Sequence, residues 1–263
     1  MKLSISNIAW SAEQDVQVYE LLQKYGYSGL EIAPTRIFPK APYNKKTVAK
    51  AWSRRLKRDY GLSVSSMQSI WYGRQEKIFG TERERQNLVD YTKQAIDFAA
   101  AIDCKNLVFG CPKNRNLADS LDEQIALLFF KELGEYAANK DIAIGMEANP
   151  PIYNTNYIND TLEALELIGQ VNSKGFKLNL DVGTMIQNHE DIAELEGRVN
   201  LVNHVHISEP GLRPIEKRGL HLQLKKLLFA EGYQGFISIE MGKVEDIAVV
   251  EKMLGYVREI FAG

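Results

Sequence analysis

An alternation runs the length of this chain and leaves few folds open to it. Short apolar runs rich in β-forming residues are followed, eight times over, by longer stretches with helical spacing. The expected strands are Leu3–Trp10, Gly29–Pro34, Ser63–Ile70, Asn106–Cys111, Ala143–Asn149, Lys177–Gly183, Leu201–Ser208 and Phe236–Met241. Spread over 263 residues, the units average roughly 33 residues each, the length of a strand plus its crossover helix. The intervening stretches carry helix start signals. Thr81 and Glu84 form a capping-box pair ahead of Leu88, Thr92, Ala95, Ile96 and Ala99, which share one helical face. Ser11 with Gln14, and Ser120 with Glu123, repeat that signal. Near the end, Ile247, Val250, Leu254, Val257 and Phe261 again follow helical spacing.

Alternating strands and helices imply a parallel sheet covered by helices, an α/β fold. Eight units of this length favour a closed (β/α)8 barrel, the TIM-barrel architecture, over an open doubly wound sheet. The chemistries usual to open sheets lack their motifs here: there is no GxGxxG, no Walker A lysine loop and no GxSxG elbow. No low-complexity segment, linker or long block of like charge divides the chain, so residues 1–263 read as a single domain.

Composition removes several function classes. The chain has 32 basic and 34 acidic residues, a formal charge of −2, and so no global field to attract nucleic acid. No apolar run approaches the roughly 20 residues a membrane span needs. The start, MKLSISNIAW, lacks the apolar core of a signal peptide. Cys104 and Cys111 make neither a metal-ligand pattern nor a disulfide framework, and read as thiols of a reducing cytoplasm.

In a barrel of this kind, active sites sit at the C-terminal ends of the strands. Four consecutive expected strands end on ionisable groups, in IGMEANP, KLNLDVGT, HVHISEP and FISIEMG. These are Glu147, Asp181, His206 and Glu240, each about one βα unit from the next. A single carboxylate at a strand end commonly caps a helix or sits solvated at a rim. Four in succession on neighbouring strands favour convergence on a shared cation, since buried charges need partners. Three carboxylates and one imidazole suit Mn²⁺, Mg²⁺ or Co²⁺. Zn²⁺ is compatible but suits less well without thiolates.

His204 shares a strand face with His206 and reads as a hydrogen-bonded histidine behind the site. His189 reads as solvated, and His221 as structural. Gln68, Lys113, Arg115, Asn149, Tyr153 and Arg213 are candidate contacts for a small polyhydroxy substrate, with the cations suited to an anionic one. Glu31 and Arg36 are further rim candidates. Trp10, Phe38, Trp71 and Tyr72 lie near the expected mouths and offer aromatic walls.

The order Glu in IGMEAN, Asp in LNLDVG, His in HVHIS and Glu in SIEMG resembles the xylose-isomerase-like TIM-barrel superfamily of sugar phosphate isomerases and epimerases. GYQGFISIE, SMQSI and NLVFGCPKNR are similar to further stretches of that superfamily, so the resemblance covers essentially the whole chain. The superfamily includes ketose 3-epimerases, hydroxypyruvate isomerase, inosose dehydratase and isomerase, and endonuclease IV. The resemblance implies that Glu147, Asp181, His206 and Glu240 hold one divalent metal. It also implies that Glu147 and Glu240 are the catalytic acid/base pair.

The chemistry stands on its own terms. A cation chelating a carbonyl and an adjacent hydroxyl acidifies the α C–H and stabilises an enediolate. One carboxylate removes the proton and the other returns it. Three positions depart from the epimerase pattern. Thr184 stands where a histidine is common, Tyr153 where a second glutamate is common, and Arg213 and Arg218 both approach the place of one arginine. The expected activity is therefore a metal-dependent isomerase or epimerase of a ketose or sugar phosphate. A dehydratase of the inosose type on the same residues, or a non-catalytic sugar-binding barrel, are the alternatives. The expected partner is a small sugar or sugar phosphate, with no nucleic acid and no membrane. Assembly as a homo-oligomer is left open. With four histidines and no basic surface, the chain lacks the makings of the three-zinc nuclease.

Overall fold

The computed structural model describes residues 1–117 and 123–262. Eight strands form: β1 (Lys2–Ile5), β2 (Gly29–Ile32), β3 (Ser63–Met67), β4 (Asn106–Phe109), β5 (Ala143–Met146), β6 (Phe176–Asp181), β7 (Val202–Ile207) and β8 (Phe236–Ile239). They make one parallel sheet in the order β1-β8-β7-β6-β5-β4-β3-β2. A parallel bridge between Ser6 and Glu31 brings β1 and β2 together and completes the ring. The expected (β/α)8 barrel is the fold the chain adopts.

Every ladder stops short of its expected end. Apolar patterning reports burial, not pairing, and the chain stays buried after the ladder ends. Past β1 it turns through a 3-10 segment, Asn7–Ala9, with Ala9 and Trp10 still in the core. Past β2, Pro34 opens a short helix, Pro34–Ile37, where its missing N–H costs nothing. Glu147 and Glu240 thus lie one residue beyond β5 and β8, where side chains leave the ladder and face the mouth.

The helices start where the local signals place them. Thr81 Oγ1 accepts from Glu84 N at 3.2 Å and Thr81 N donates to Glu84 Oε2 at 2.9 Å, opening the helix Glu82–Ala101. That helix buries Leu88, Thr92, Ala95, Ile96 and Ala99 against the barrel. Ser11 and Gln14 likewise pair ahead of the helix Asp15–Lys24. Ser120 lies outside the described residues. The closing helix, Ile247–Phe261, buries Val250, Leu254, Val257 and Phe261. No described helix is long and apolar enough to cross a membrane.

Two layers of side chains follow from this arrangement. Between sheet and helices the core is apolar and aromatic, with Phe109 edge-on to both Trp71 and Phe130, and Phe130 stacked on Phe176. Inside the barrel it is markedly polar. Ser4 and Ser65 hydroxyls meet at 2.5 Å, and Asn106 Nδ2 donates to Ser66 Oγ at 2.9 Å. Buried polar groups need such partners. This network is the floor on which the mouth is built.

Candidate metal centre

Glu147, Asp181, His206 and Glu240 are carried to the C-terminal mouth by β5, β6, β7 and β8. His206 Nδ1 lies 3.0 Å from Glu147 Oε1 and 3.3 Å from Glu240 Oε2. The ligand atoms of these three residues all fall within 4.8 Å of one another. His206 is fully buried, and each glutamate is only 7% exposed. Asp181 is not part of that triad. It caps the helix Val182–Asn188, its Oδ1 accepting from Gly183 N at 2.8 Å and from the Ser208 hydroxyl. Thr184 Oγ1 donates to its Oδ2 at 3.3 Å. Asp181 nevertheless faces the same cavity as Glu147 and Glu240.

The electrostatics of the cluster are of a kind that could hold a cation. Burial pushes the Asp181 carboxyl up to about 7, and the charges of Glu147 and Glu240 add to the rise. Burial likewise raises Glu240. Burial alone would lower His206, but the surrounding carboxylates, Glu31 foremost, outweigh it and hold the imidazole well above its ordinary value. Three acidic groups crowd one imidazole, and their mutual repulsion is what a divalent cation relieves. The donors are oxygens plus a single nitrogen, so the residues present fit Mn²⁺, Mg²⁺ or Co²⁺.

Behind this triad stands a second, Glu31, His204 and His206. Glu31 Oε2 is 2.9 Å from His206 Nε2 and 3.1 Å from His204 Nε2. The His204 contact is not aligned as the expected hydrogen bond, and burial holds this imidazole below its ordinary value, towards the neutral form. Gln68 Nε2 donates to Glu31 Oε1 at 3.2 Å. Burial pushes the Glu31 carboxyl up, yet the two imidazoles prevail and keep it well below the usual carboxylate range. His204 therefore sits behind His206, as its strand phase implies, with the rings edge to face at 5.3 Å.

A cavity of about 620 Å³ opens above the glutamates. Gln68, Lys113, Asn149 and Tyr153 line it, as do Trp71 and Tyr72. Asn149 Nδ2 donates to Glu147 Oε2 at 3.2 Å, and Tyr153 OH accepts from Gly211 N at 2.9 Å. Two of the expected cations are not on this wall. Arg115 is 0% exposed, donating to Glu147 O at 2.9 Å, Asn149 Oδ1 at 3.0 Å and Ile158 O at 3.1 Å. Its chain turns inward because three backbone and amide oxygens need donors there, and burial lowers the guanidinium to about 10. Arg213 lies out on an exposed turn, with Nε donating to Pro210 O at 3.3 Å.

Trp10 and Arg36 are drawn away to Asp15, Phe38 packs against Trp52 and Phe98, and His221 is buried against Tyr256 at 2.8 Å. His189 is exposed, as expected. Asn179 is not among the residues expected at the site. Asn179 Nδ2 donates to Glu147 Oε1 at 2.9 Å and lies 3.3 Å from His206 Nδ1. Its signal was present in KLNLD, two residues before Asp181 on the same strand face.

Comparison with known proteins bears on the fold. The sequence model of the xylose isomerase-like TIM barrel matches residues 19–260. No curated protein matches the chain in sequence. Among solved structures, a 3-keto-D-glucoside 4-epimerase from E. coli superposes with a TM-score of 0.77 at 20% identity, covering 98% of this chain and 99% of that one. A D-psicose 3-epimerase, determined in the presence of D-fructose, gives 0.77 at 16% identity over 100% of both chains. An AP endonuclease, family 2, from Brucella melitensis gives 0.73 at 20% identity, covering 98% of this chain and 99% of that one. At these identities the likeness is one of fold.

Proposed function

The chain belongs to the xylose isomerase-like TIM-barrel family, and on that premise we propose that it is a divalent-metal-dependent isomerase or epimerase of a ketose or sugar phosphate. The observation that carries this reading is the approach of two buried carboxylates to one nitrogen. Glu147 and Glu240, from strands separated by β6 and β7, both reach His206 Nδ1 beneath an open cavity. The 3-keto-D-glucoside 4-epimerase and the D-psicose 3-epimerase with the same fold are consistent with it.

Glu147, His206 and Glu240 would hold the cation, with Asp181 joining them from the start of its helix. Bound there, a divalent ion supplies Lewis-acid polarisation of a carbonyl and its neighbouring hydroxyl. The remaining work falls to the protein. Glu147 and Glu240 would take the proton beside the carbonyl and return it to the resulting enediolate. Burial keeps Glu240 closer to neutrality than a solvated carboxyl, which suits a group that must both hold and release a proton. Asn179 and Asn149 each donate to a different oxygen of Glu147 and so fix its plane. Trp71 and Tyr72 give the cavity an aromatic wall.

The test is a panel of ketoses and ketose phosphates in deuterated buffer with Mn²⁺. Solvent deuterium should enter a substrate next to its carbonyl, with product mass otherwise unchanged. Glu147→Gln and Glu240→Gln should each slow exchange by roughly 100-fold or more. Full exchange in both variants would refute the acid/base assignment, and loss of a water from the product would mark a dehydratase instead.

A further inference from the structure

The cavity has two electrically opposite sides. Glu147, Asp181 and Glu240 are acidic, whereas Lys77 and Lys113 line the flank built by the loops after β3 and β4. No carboxylate among the described residues lies within 4.0 Å of either lysine ammonium. Arg74 also lines this flank, but its guanidinium is committed to Glu76 and lies 4.7 Å from the Tyr91 ring centre.

The two loops are tied together. Asn114 Nδ2 donates to Arg74 O at 3.2 Å and to Glu76 O at 2.8 Å, while Ile78 N donates to Asn114 O at 2.9 Å. The Lys77 ammonium donates to the carbonyl of Lys113 itself. Two ammonium groups are thus held on one wall with no carboxylate of the described residues in direct contact, an arrangement a bound anion stabilises. The flank is also close to the acidic floor. Gly110 abuts Glu147, and the three residues from Gly110 to Lys113 span at most about 11 Å of chain. One small molecule can therefore touch both.

We propose that Lys77 and Lys113 bind an anionic group, phosphate or carboxylate, carried by the substrate away from its reacting carbons. This rests on the isomerase reading of the same cavity. It narrows the substrate to an anionic sugar and leaves a neutral ketose as the poorer one.

The experiment compares D-fructose, D-ribulose and D-xylulose, each beside its terminal phosphate, and adds D-fructuronate as the carboxylate arm. Deuterium exchange with Mn²⁺ is read as kcat/KM. The best anionic sugar should exceed its neutral counterpart by about tenfold or more. That ratio should fall towards one in Lys113→Met and in Lys77→Met, and should shrink with added salt. A ratio near one in the unaltered protein overturns the proposal while the isomerase reading stands. Whether phosphate or carboxylate gives the larger ratio identifies the anion.

A second measurement needs no turnover. Inorganic phosphate should raise the melting temperature of the metal-free protein, and should not do so in the Lys77→Met/Lys113→Met double variant. An equal response in both proteins overturns the subsite even if no sugar reacts. A selective response with no exchange in any sugar keeps the subsite and removes the isomerase.

Discussion

Glu31 Oε2 lies 2.9 Å from His206 Nε2, on the side of the imidazole opposite to the one that faces Glu147 and Glu240. With Nε2–H donating to Glu31, the Nδ1 lone pair is left for a cation. A carboxylate behind a ligating imidazole fixes its tautomer and raises its basicity. Glu31→Gln should therefore weaken Mn²⁺ binding by about 10- to 100-fold in titration calorimetry, with the far-UV circular dichroism unchanged. Undiminished Mn²⁺ affinity would reduce the pair to a packing contact.

Gly110 is required by Glu147. A Cβ at this position would stand 2.7 Å from Glu147 Oε2 and 3.3 Å from Asn149 Oδ1. The near atoms are side-chain ends rather than backbone, so Gly110→Ala shifts the Glu147 carboxylate against its Asn149 and Asn179 partners while leaving the barrel intact. Reacting groups misplaced by about 1 Å can lose roughly 100-fold in rate. The expected result is a near-native melting temperature with kcat reduced by about that factor. Full activity in the variant would show that Glu147 need not sit where it does.

Arg115 holds the mouth together from behind the cavity wall. It donates to the carbonyls of Glu147 and Ile158 and to the Asn149 side chain from a fully buried position. Arg115→Met leaves these oxygens without their donor. A loss of about 3 kcal/mol or more is expected from urea denaturation. A loss below about 1 kcal/mol would mean that water or rearrangement satisfies them.

The acidic cluster makes stability depend on pH in a defined direction. Burial, reinforced by Glu147 and Glu240, holds the Asp181 carboxyl up at about 7, against an ordinary value of 3.8. The folded state therefore grips this proton more tightly than the unfolded chain. The associated stabilisation is complete below the ordinary value and is lost as pH rises through about 7. His206, also raised, acts in the same sense. His221, which burial lowers to about 4, loses its contribution only as pH falls towards that value. Metal-free protein should melt at a lower temperature at about pH 8.5 than at about pH 6.5. Saturating Mn²⁺ should remove or reverse that slope by taking the place of the proton. A metal-free melting temperature that climbs across this window would contradict the assignment.

Much of the site could be read from strand phase. Glu147, His206 and Glu240 were locatable because each ends an apolar run, and runs one unit apart end at one mouth. The same reasoning put His204 behind His206. It went astray at Arg115 and Arg213, where a cation after a strand was assigned to the pocket. One turns inward to unpaired oxygens and the other stays on an exposed turn, and nothing in PKNR or EPGLR distinguishes the two outcomes.

By itself, the sequence determined the eight-fold alternation, the helix starts at Thr81 and Ser11, and the acidic character of the mouth. These are local properties: periodicity and capping act over a few residues and survive without knowledge of the rest. Tertiary structure alone decided that Glu31 pairs with His206 across 175 positions, that Asn179 braces Glu147, and that Lys77 and Lys113 share a wall. Closure of the barrel creates those contacts by bringing strands remote in sequence within hydrogen-bonding distance, and no short-range pattern encodes which side chains will then face each other.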